Sequence, residues 1–259
     1  MTCEERRIAA VVGALVADAA AQPLHWNYKI DKLNSIIGDS EEIAFWEPSA
    51  NPFYLRPTGS YSCYGDQSYV ILKSLVENEG LDIKSLQKST YDFFGPDSEY
   101  EDKNNMEYQD KSDVAKKVFP IKAGWRNGSI KVFLQKFKDG LEDTGCDKDE
   151  QIDGVLRIVS VVAMYAGKPD MLDKAEEVIR VTQNSDTSVA VSLTAARILE
   201  QYILYGDKPD AIETVIEDLS NPKRSNPQDL DKAMAGKLRE VLNSKELDHS
   251  SAGKKFRID

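Results

Sequence analysis

The chain has 259 residues, 41% of them hydrophobic and 30% charged, and its 33 basic and 44 acidic side chains give a net charge of −11. This length builds one large or two small domains with a core that needs no disulfides, while the negative charge disfavours nucleic acid and anionic membranes as partners and favours solubility at high concentration. Three cysteines without a CxxC spacing indicate a reducing, cytoplasmic setting, and two histidines disfavour a histidine-rich zinc site.

The first predicted element is a helix over Glu4–Ala21 that stops at Pro23. Its apolar run Ile8–Ala17 follows two arginines, a pattern that mimics a secretory signal. Two glutamates neutralise that basic end, and Asp18 falls where a cleavage region would begin, so we favour a buried amphipathic helix. Ten apolar residues are also too few to span a bilayer.

An irregular stretch rich in aromatic residues and proline, Trp46–Tyr61, predicts a long surface loop, and ordered loops of this length are often functional. After it, Asp66 caps or opens a further helix. The apolar stripe of that helix is predicted to be Tyr69, Leu72, Leu75 and Val76. Leu81–Phe94 predicts the next helix, and the highly charged segment Asp97–Lys117 predicts a solvated loop or mobile segment.

The second half of the chain has the more regular helical period. Its predicted elements are Ile130–Phe137, a helix with one face of Ile152, Val155, Leu156, Val159, Val162 and Ala163, and then Met171–Val181, Thr187–Tyr205, Ala211–Leu219 and Leu230–Leu242. Thr187–Tyr205 is apolar almost all round, which predicts a central position in the core. No stretch alternates with period two. The predicted fold class is therefore all-α, with one multi-helix domain over residues 1–249 and a polar tail over residues 250–259.

Two acidic residues stand at predicted helix ends. Asp18 lies at the C-terminal end of the first helix, where the helix dipole costs a carboxylate about 0.5 kcal/mol unless a cation offsets it. Alternatively, Asp18 caps the following turn through free amides near Gln22 or Leu24. Asp66 follows Gly65 at a helix N-terminus, where it is either a metal ligand or an N-cap that stabilises the helix by about 1 kcal/mol.

Three further segments offer ligand contacts, each with a purely structural alternative. His25 and Trp26 form an aromatic shelf beside Asp18, on which Trp26 stacks a ligand ring while His25 hydrogen-bonds to it, or both residues pack in the core. The loop Gly124–Ser129 either cradles an oxyanion ahead of a helix or is a plain connection. Gln183–Asp186 ends one helix and caps the next, which explains it without a ligand.

Four segments, in this order, resemble the ADP-ribosylglycohydrolase family, and within it the J1 crystallin branch of jellyfish lens proteins. They are GALVADAAAQPLHW at 13–26, SCYGDQS at 62–68, GWRNGSI at 124–130 and VTQNSD at 181–186. The resemblance implies an orthogonal helix assembly that holds two magnesium ions and hydrolyses the glycosidic bond between ADP-ribose and a protein side chain, or related esters. On this resemblance we assign the metal to Asp66, catalysis to Asp18 and His25, and substrate binding to Trp26, Tyr64, Gly65, Gly128, Ser129 and Asp186.

The chain departs from the family pattern at the metal motifs. The family's Gly-Asp-Ala motif is Ala17-Asp18-Ala19 here, and its Thr-Asp-Asp-Thr motif aligns with Tyr64–Gln67, which keeps one aspartate. The family's Thr-His motif is Thr182-Gln183, and His25 stands near the position of a usual glutamate. Arg157 matches an arginine of the family. The family's final Asp-x-Asp-Thr segment is absent before Asp259. We explain this either by a truncated product or by a dimer that covers the apolar surface left exposed without the segment. Because magnesium prefers octahedral oxygen coordination, we expect its site to be weak or lost.

We therefore expect a non-catalytic structural protein of the J1 crystallin type, located in the cytoplasm. Two alternatives stay open, namely a magnesium-dependent hydrolase of ADP-ribose conjugates and an inactive module that binds ADP-ribose. We expect neither nucleic acid nor membrane as a partner, and a homo-oligomer is open.

Overall fold

The computed structural model describes residues 1–102 and 118–256. In those two ranges the chain forms helices and two isolated β-bridges, Tyr54 with Ile121 and Cys146 with Gln183, and it forms no strand. The helices are α1 Cys3–Ala21, α2 Ile30–Ile37, α3 Cys63–Glu77, α4 Ile83–Phe94, α5 Gly128–Lys138, α6 Asp153–Tyr165, α7 Met171–Thr182, α8 Asp186–Tyr205, α9 Ala211–Ser220, α10 Asp231–Leu242 and α11 His249–Phe256. The predicted all-α class is confirmed.

Most helices lie within a few residues of their predicted bounds, and the stretch 46–61 contains no helix. α2 has no counterpart among the predicted helices, because it buries no residue and so leaves only a short pattern. α11 lies in the segment predicted as a polar tail. Of the charged segment 97–117 predicted as a solvated loop, residues 103–117 lie outside the described part of the chain.

Two predicted apolar faces are only partly correct, since Leu75, Val162 and Ala163 are buried as predicted but other members are not. In α3, Val76 is 63% exposed and Tyr69 is 39% exposed, while the buried side carries Val70 and Ile71. In the second predicted face, which begins at Ile152, that residue is 70% exposed and directly precedes α6. The cause is the same in both helices, since their buried faces include polar side chains that a hydrophobic pattern excludes. In α3 and α6 these polar residues are Asp66, Gln67, Ser68, Ser74, Asp153, Arg157 and Ser160.

α6 and α8 pack side by side at the centre of the fold, as predicted for the helix over 187–205. α1 contacts both of them, α3 packs on α6, and α7 contacts both central helices. The central side chains with almost no exposed surface are Ile158, Val161, Val162, Val189, Leu193 and Ala196. Each large aliphatic side chain buried in this way contributes about 1.5–3 kcal/mol. α9 and α10 pack on each other beside α8.

Two arginines fasten α1 to the ends of the central helices. Arg6 donates from Nε to the carbonyl oxygen of Ile203 at 2.7 Å, in the last turn of α8. Arg7 donates to the carbonyl oxygens of Ala163 and Ala166, the latter at 2.7 Å, at the end of α6. Carbonyl groups in a last helical turn lack intrahelical partners. The basic pair that mimics a signal therefore caps two helices.

α1 itself lies at the surface. Within the described ranges Cys3–Leu24 alone is long and apolar enough, by length and composition, to cross a membrane, a test that core helices and secretory signals also pass. Only Ala19 of α1 is buried, and Ile8, Val12 and Val16 are about half exposed. The predicted buried first helix is thus wrong, because residues that are apolar on most sides of a helix do not reveal which side faces the core.

We expect Arg7→Gln to lower the free energy of unfolding by about 2 kcal/mol, since it removes charged hydrogen bonds to carbonyl groups that have no other partner in their helix. Urea denaturation of both proteins measures this loss. Lys84→Gln is the matched control, because Lys84 is exposed in α4 and its replacement should change stability by less than about 0.5 kcal/mol. Equal effects of the two substitutions would contradict the capping role.

Candidate functional site

Asp18 joins the C-terminal end of α1 to the N-terminal end of α3. Its Oδ2 accepts a hydrogen bond from the Ser62 amide at 2.7 Å, and its Oδ1 accepts one from the Ser62 hydroxyl at 2.5 Å. Ser62 is the N-cap of α3, and its hydroxyl oxygen accepts from the Tyr64 amide at 3.1 Å. The negative end of α1 and the positive end of α3 thus meet at one carboxylate, which offsets the unfavourable position of Asp18 on its own helix.

This contact differs from the predicted capping of the turn that follows Asp18. The carboxylate does not cap the turn at Gln22 or Leu24 but binds the start of a distant helix. Burial raises the pKa of Asp18, and the hydrogen bonds from Ser62 act in the opposite direction.

Gly65 makes the approach of α1 to α3 possible. A Cβ atom added at Gly65 would lie 2.1 Å from Asp18 Oδ2 and 3.0 Å from the Cβ of Tyr61. Any side chain at this position therefore displaces the Asp18 carboxylate. A glycine at position 65 was predicted as a ligand contact, and in the structure it is required by the packing of Asp18.

Asp66 lies in the first turn of α3 and is 3% exposed. It is not the N-cap, a position held by Ser62. Its Oδ2 accepts a hydrogen bond from the Tyr100 hydroxyl and lies 3.4 Å from Nη2 of Arg56. Burial raises the pKa of Asp66 to about 6, with Tyr100 and Arg56 lowering it and the negative charge of Asp18 raising it further. The two predicted site carboxylates therefore share one end of α3 and influence each other.

An aromatic cluster follows α1 and contains His25 and Trp26, the two residues of the predicted shelf. His25 comes after a 3-10 turn at Gln22–Leu24, and its Nδ1 lies 3.2 Å from the Tyr54 hydroxyl. Trp26 has a φ of 62°, a left-handed conformation that costs a large side chain about 1–3 kcal/mol. Its ring lies 5.5 Å from the rings of Tyr54 and Trp125 and 6.4 Å from that of Tyr64. Backbone strain of this kind is common at ligand sites.

His25 is neutral at pH 7. Burial lowers its pKa to about 4, and its ring packs against the rings of Trp26 and Tyr64 at 4.6 and 5.6 Å. A neutral imidazole can donate or accept one hydrogen bond at each nitrogen, according to its tautomer. The arrangement suits ring stacking and hydrogen bonding, and it does not suit proton donation near neutral pH.

Gly128 and Ser129 begin α5 and connect to the site through buried polar side chains. The side chain of Asn127, the N-cap of α5, accepts from the Ile130 amide at 3.2 Å and donates to Asp153. Asp153 also accepts from the Gln67 side chain of α3 at 3.3 Å, so the start of α5 is tied to the helix that carries Asp66.

A buried arginine, Arg157, lies next to this network. Arg157 donates to the Thr182 hydroxyl and to the side-chain oxygen of Gln183, and burial lowers its pKa to about 10. The Gln183 amide in turn donates to Asp149 at 2.6 Å. The segment 183–186 was explained from its residues by helix capping, and in the structure its first residue also binds Arg157. Asp186 is exposed in the first turn of α8.

The structure brings most of the predicted site residues together. Around the start of α3 stand Asp18, His25, Trp26, Tyr64, Gly65 and Asp66, with Gly128 and Ser129 linked through Asn127, Asp153 and Gln67. Within the described ranges, Asp186 makes no hydrogen bond or ion pair with them. Arg56 and Tyr100 were not predicted as site residues, and they come from the Pro-rich loop and from the charged segment. A lone arginine in an aromatic loop was the available signal for the first.

The chain matches one family model and is similar in sequence to two crystallins. A family model described as ADP-ribosylglycohydrolase matches residues 1–256. Crystallin J1A and Crystallin J1B of Tripedalia cystophora are 37% identical over 213 residues and 36% identical over 218 residues. These alignments cover 82% and 84% of the chain and 63% and 64% of the relatives, so the chain spans less than two thirds of their length.

A solved structure entitled "ADP-ribosylglycohydrolase-related protein complex" is similar in fold. Its TM-score is 0.52 at 14% sequence identity, over 83% of this chain and 60% of that one. At this identity the likeness supports the fold alone.

We expect Gly65→Ala to destabilise the protein by about 2 kcal/mol, because the added methyl group displaces Asp18 from Ser62. Gly13→Ala is the matched control, since Gly13 lies in α1 with no atom within 4 Å of the added Cβ. That control should be neutral or more stable by up to about 1 kcal/mol, from helix propensity. Chemical denaturation measures both, and a Gly65→Ala protein as stable as the control would contradict the close approach.

His25 should make the protein less stable in acid. Its folded pKa of about 4 lies below the ordinary value of 6.5, so between these pH values the unfolded chain binds a proton that the folded one does not. Between pH 7 and pH 5 the wild type should therefore lose about 2 kcal/mol of stability relative to His25→Gln. Urea denaturation of the two proteins at both pH values measures the difference. A difference that does not change with pH would show that His25 titrates normally in the folded protein.

Proposed function

The chain belongs to the ADP-ribosylglycohydrolase family, and we propose that it is a non-catalytic structural protein of the J1 crystallin type. In this proposal the carboxylates of the family's site are bound by groups of the protein itself. The crystallin relatives at 37% and 36% identity support this direction. A net charge of −11 suits a protein that has to stay soluble at high concentration.

The observation that carries the proposal is the donor chemistry around Asp18 and Asp66. Both oxygens of Asp18 accept hydrogen bonds from Ser62, and Oδ2 of Asp66 is bound by Tyr100 and Arg56. Magnesium requires nearly octahedral oxygen coordination, usually with one or two free carboxylates. Within residues 1–102 and 118–256, no group of three or more His, Cys, Asp or Glu side chains is arranged to hold a metal ion. These residues do not fit a pair of magnesium ions.

The acid–base chemistry around Asp18 supports the same conclusion. A general acid or base works best when its pKa lies near the operating pH. His25 has a pKa of about 4, so it is not a proton donor at neutral pH. Both oxygens of Asp18 accept hydrogen bonds from Ser62, and these bonds favour its ionised form.

A binding module without turnover is the second candidate, and the strained Trp26 favours it. A φ of 62° in a tryptophan within an aromatic cluster is the kind of geometry that ligand sites retain. In that case the ring of an ADP-ribose-type ligand would stack in this cluster. The magnesium-dependent hydrolase of ADP-ribose conjugates is the third candidate, and no arrangement of donors in the described ranges favours it.

We also propose a cytoplasmic location, supported by three free cysteines, Cys3, Cys63 and Cys146. The negative charge supports the absence of nucleic acid and anionic membranes among the partners. The half-exposed apolar residues of α1 leave a homo-oligomer as an open part of the proposal.

We expect titration calorimetry with ADP-ribose, with and without millimolar magnesium, to show no heat of binding, and an ADP-ribosylated peptide to stay intact under the same conditions. Asp66→Ala and Trp26→Ala serve as matched variants. Binding without turnover that both variants abolish would replace the structural proposal by the binding module. Hydrolysis that requires magnesium would contradict both.

A further inference from the structure

Arg56 lies between two carboxylates at the start of α3. Its Nη2 is 3.4 Å from Asp66 Oδ2, and its Nη1 is 3.2 Å from Glu99 Oε2. The guanidinium carbon also stands 5.7 Å from the centre of the Tyr100 ring, whose hydroxyl donates to the same Asp66 oxygen. The Arg56 side chain is 13% exposed. One permanent positive charge therefore joins the buried carboxylate of Asp66 to the exposed carboxylate of Glu99.

The positive charge of Arg56 between two carboxylates has the electrostatic role that a bound divalent cation has in a carboxylate site. A buried carboxylate without a positive partner is strongly unfavourable, and arginine stays protonated at every physiological pH. Asp66 is 3% exposed, and the negative charge of Asp18 lies close enough to act on it. The site therefore needs a cation, and the described part of the chain supplies one from its own loop.

We propose that the Arg56 guanidinium replaces a divalent cation and that its removal opens a latent magnesium site on Asp66 and Glu99. This inference rests on the proposed function, in which the wild-type site holds no magnesium. The carboxylate oxygens of Asp66 and Glu99 that now bind Arg56 supply the protein ligands. Water completes the octahedral shell, as is usual for magnesium held by one or two carboxylates.

The test is the melting temperature of Arg56→Gln in magnesium chloride and in potassium chloride of equal ionic strength. We expect the variant to melt below the wild type in potassium chloride and to regain about 4 °C when magnesium is ten times its Kd. The wild type should show no difference between the two salts. Arg56→Lys keeps the charge and should also show none.

Two further variants separate a site from a general effect of charge. Lys122 is exposed and lines the same surface cleft of about 390 Å³ as Arg56. Lys122→Gln therefore removes one positive charge from this surface and should give no magnesium response. Arg56→Gln combined with Asp66→Asn removes the principal ligand, and the response should disappear. A response in either protein would overturn the proposal.

If Arg56→Gln does not fold in potassium chloride, the refolded fraction in each salt replaces the melting temperature. A larger fraction in magnesium supports the latent site, and equal fractions overturn it. The response of the wild type to magnesium shows which of the two proposals fails. Saturable stabilisation of the wild type by magnesium would refute the proposed function, whereas an inert wild type with an equally inert Arg56→Gln would refute the role of Arg56 alone.

Discussion

The contact between Asp18 and Ser62 is the constraint on which the rest of the site depends. It joins the negative end of α1 to the positive end of α3, so each helix end offsets the other. The junction accepts only glycine at position 65, because a Cβ atom there would lie 2.1 Å from the Asp18 carboxylate. It also fixes where α3 begins and thus where Asp66 stands. The aromatic cluster of His25 and Trp26 follows directly from the end of α1.

Around this junction, the buried charged side chains form hydrogen bonds and ion pairs with other groups of the protein. Asp66 is bound by Tyr100 and Arg56, and the buried network of Asp153 and Arg157 ties α3 to α5 and α7. Breaking one partner of such buried networks is costly, because the remaining group is left without a partner. Such a network tolerates the loss of few of its members, which suits the proposed structural role.

Helical periodicity predicted most of the helices, and acidic residues at helix ends marked Asp18 and Asp66 as candidate site residues. The partners of these residues were not predictable, because Arg56 and Tyr100 come from segments without periodicity. Buried faces were assigned only in part where they carry polar residues such as Arg157, since a hydrophobic pattern counts such residues as exposed. The face of α1 was misassigned for the opposite reason, because apolar residues occur on most of its sides. Asp18 and Ser62 are 44 residues apart, and only tertiary structure joins them.

The most direct test of the account is an anomalous difference map from a crystal of the protein soaked in manganese, which takes oxygen ligands as magnesium does. The account predicts that Asp66 contacts Arg56 and Tyr100 and that Asp18 contacts Ser62, with no anomalous peak between the two carboxylates. Two strong peaks at coordination distance from Asp18 and Asp66, with the Arg56 side chain moved away, would contradict it.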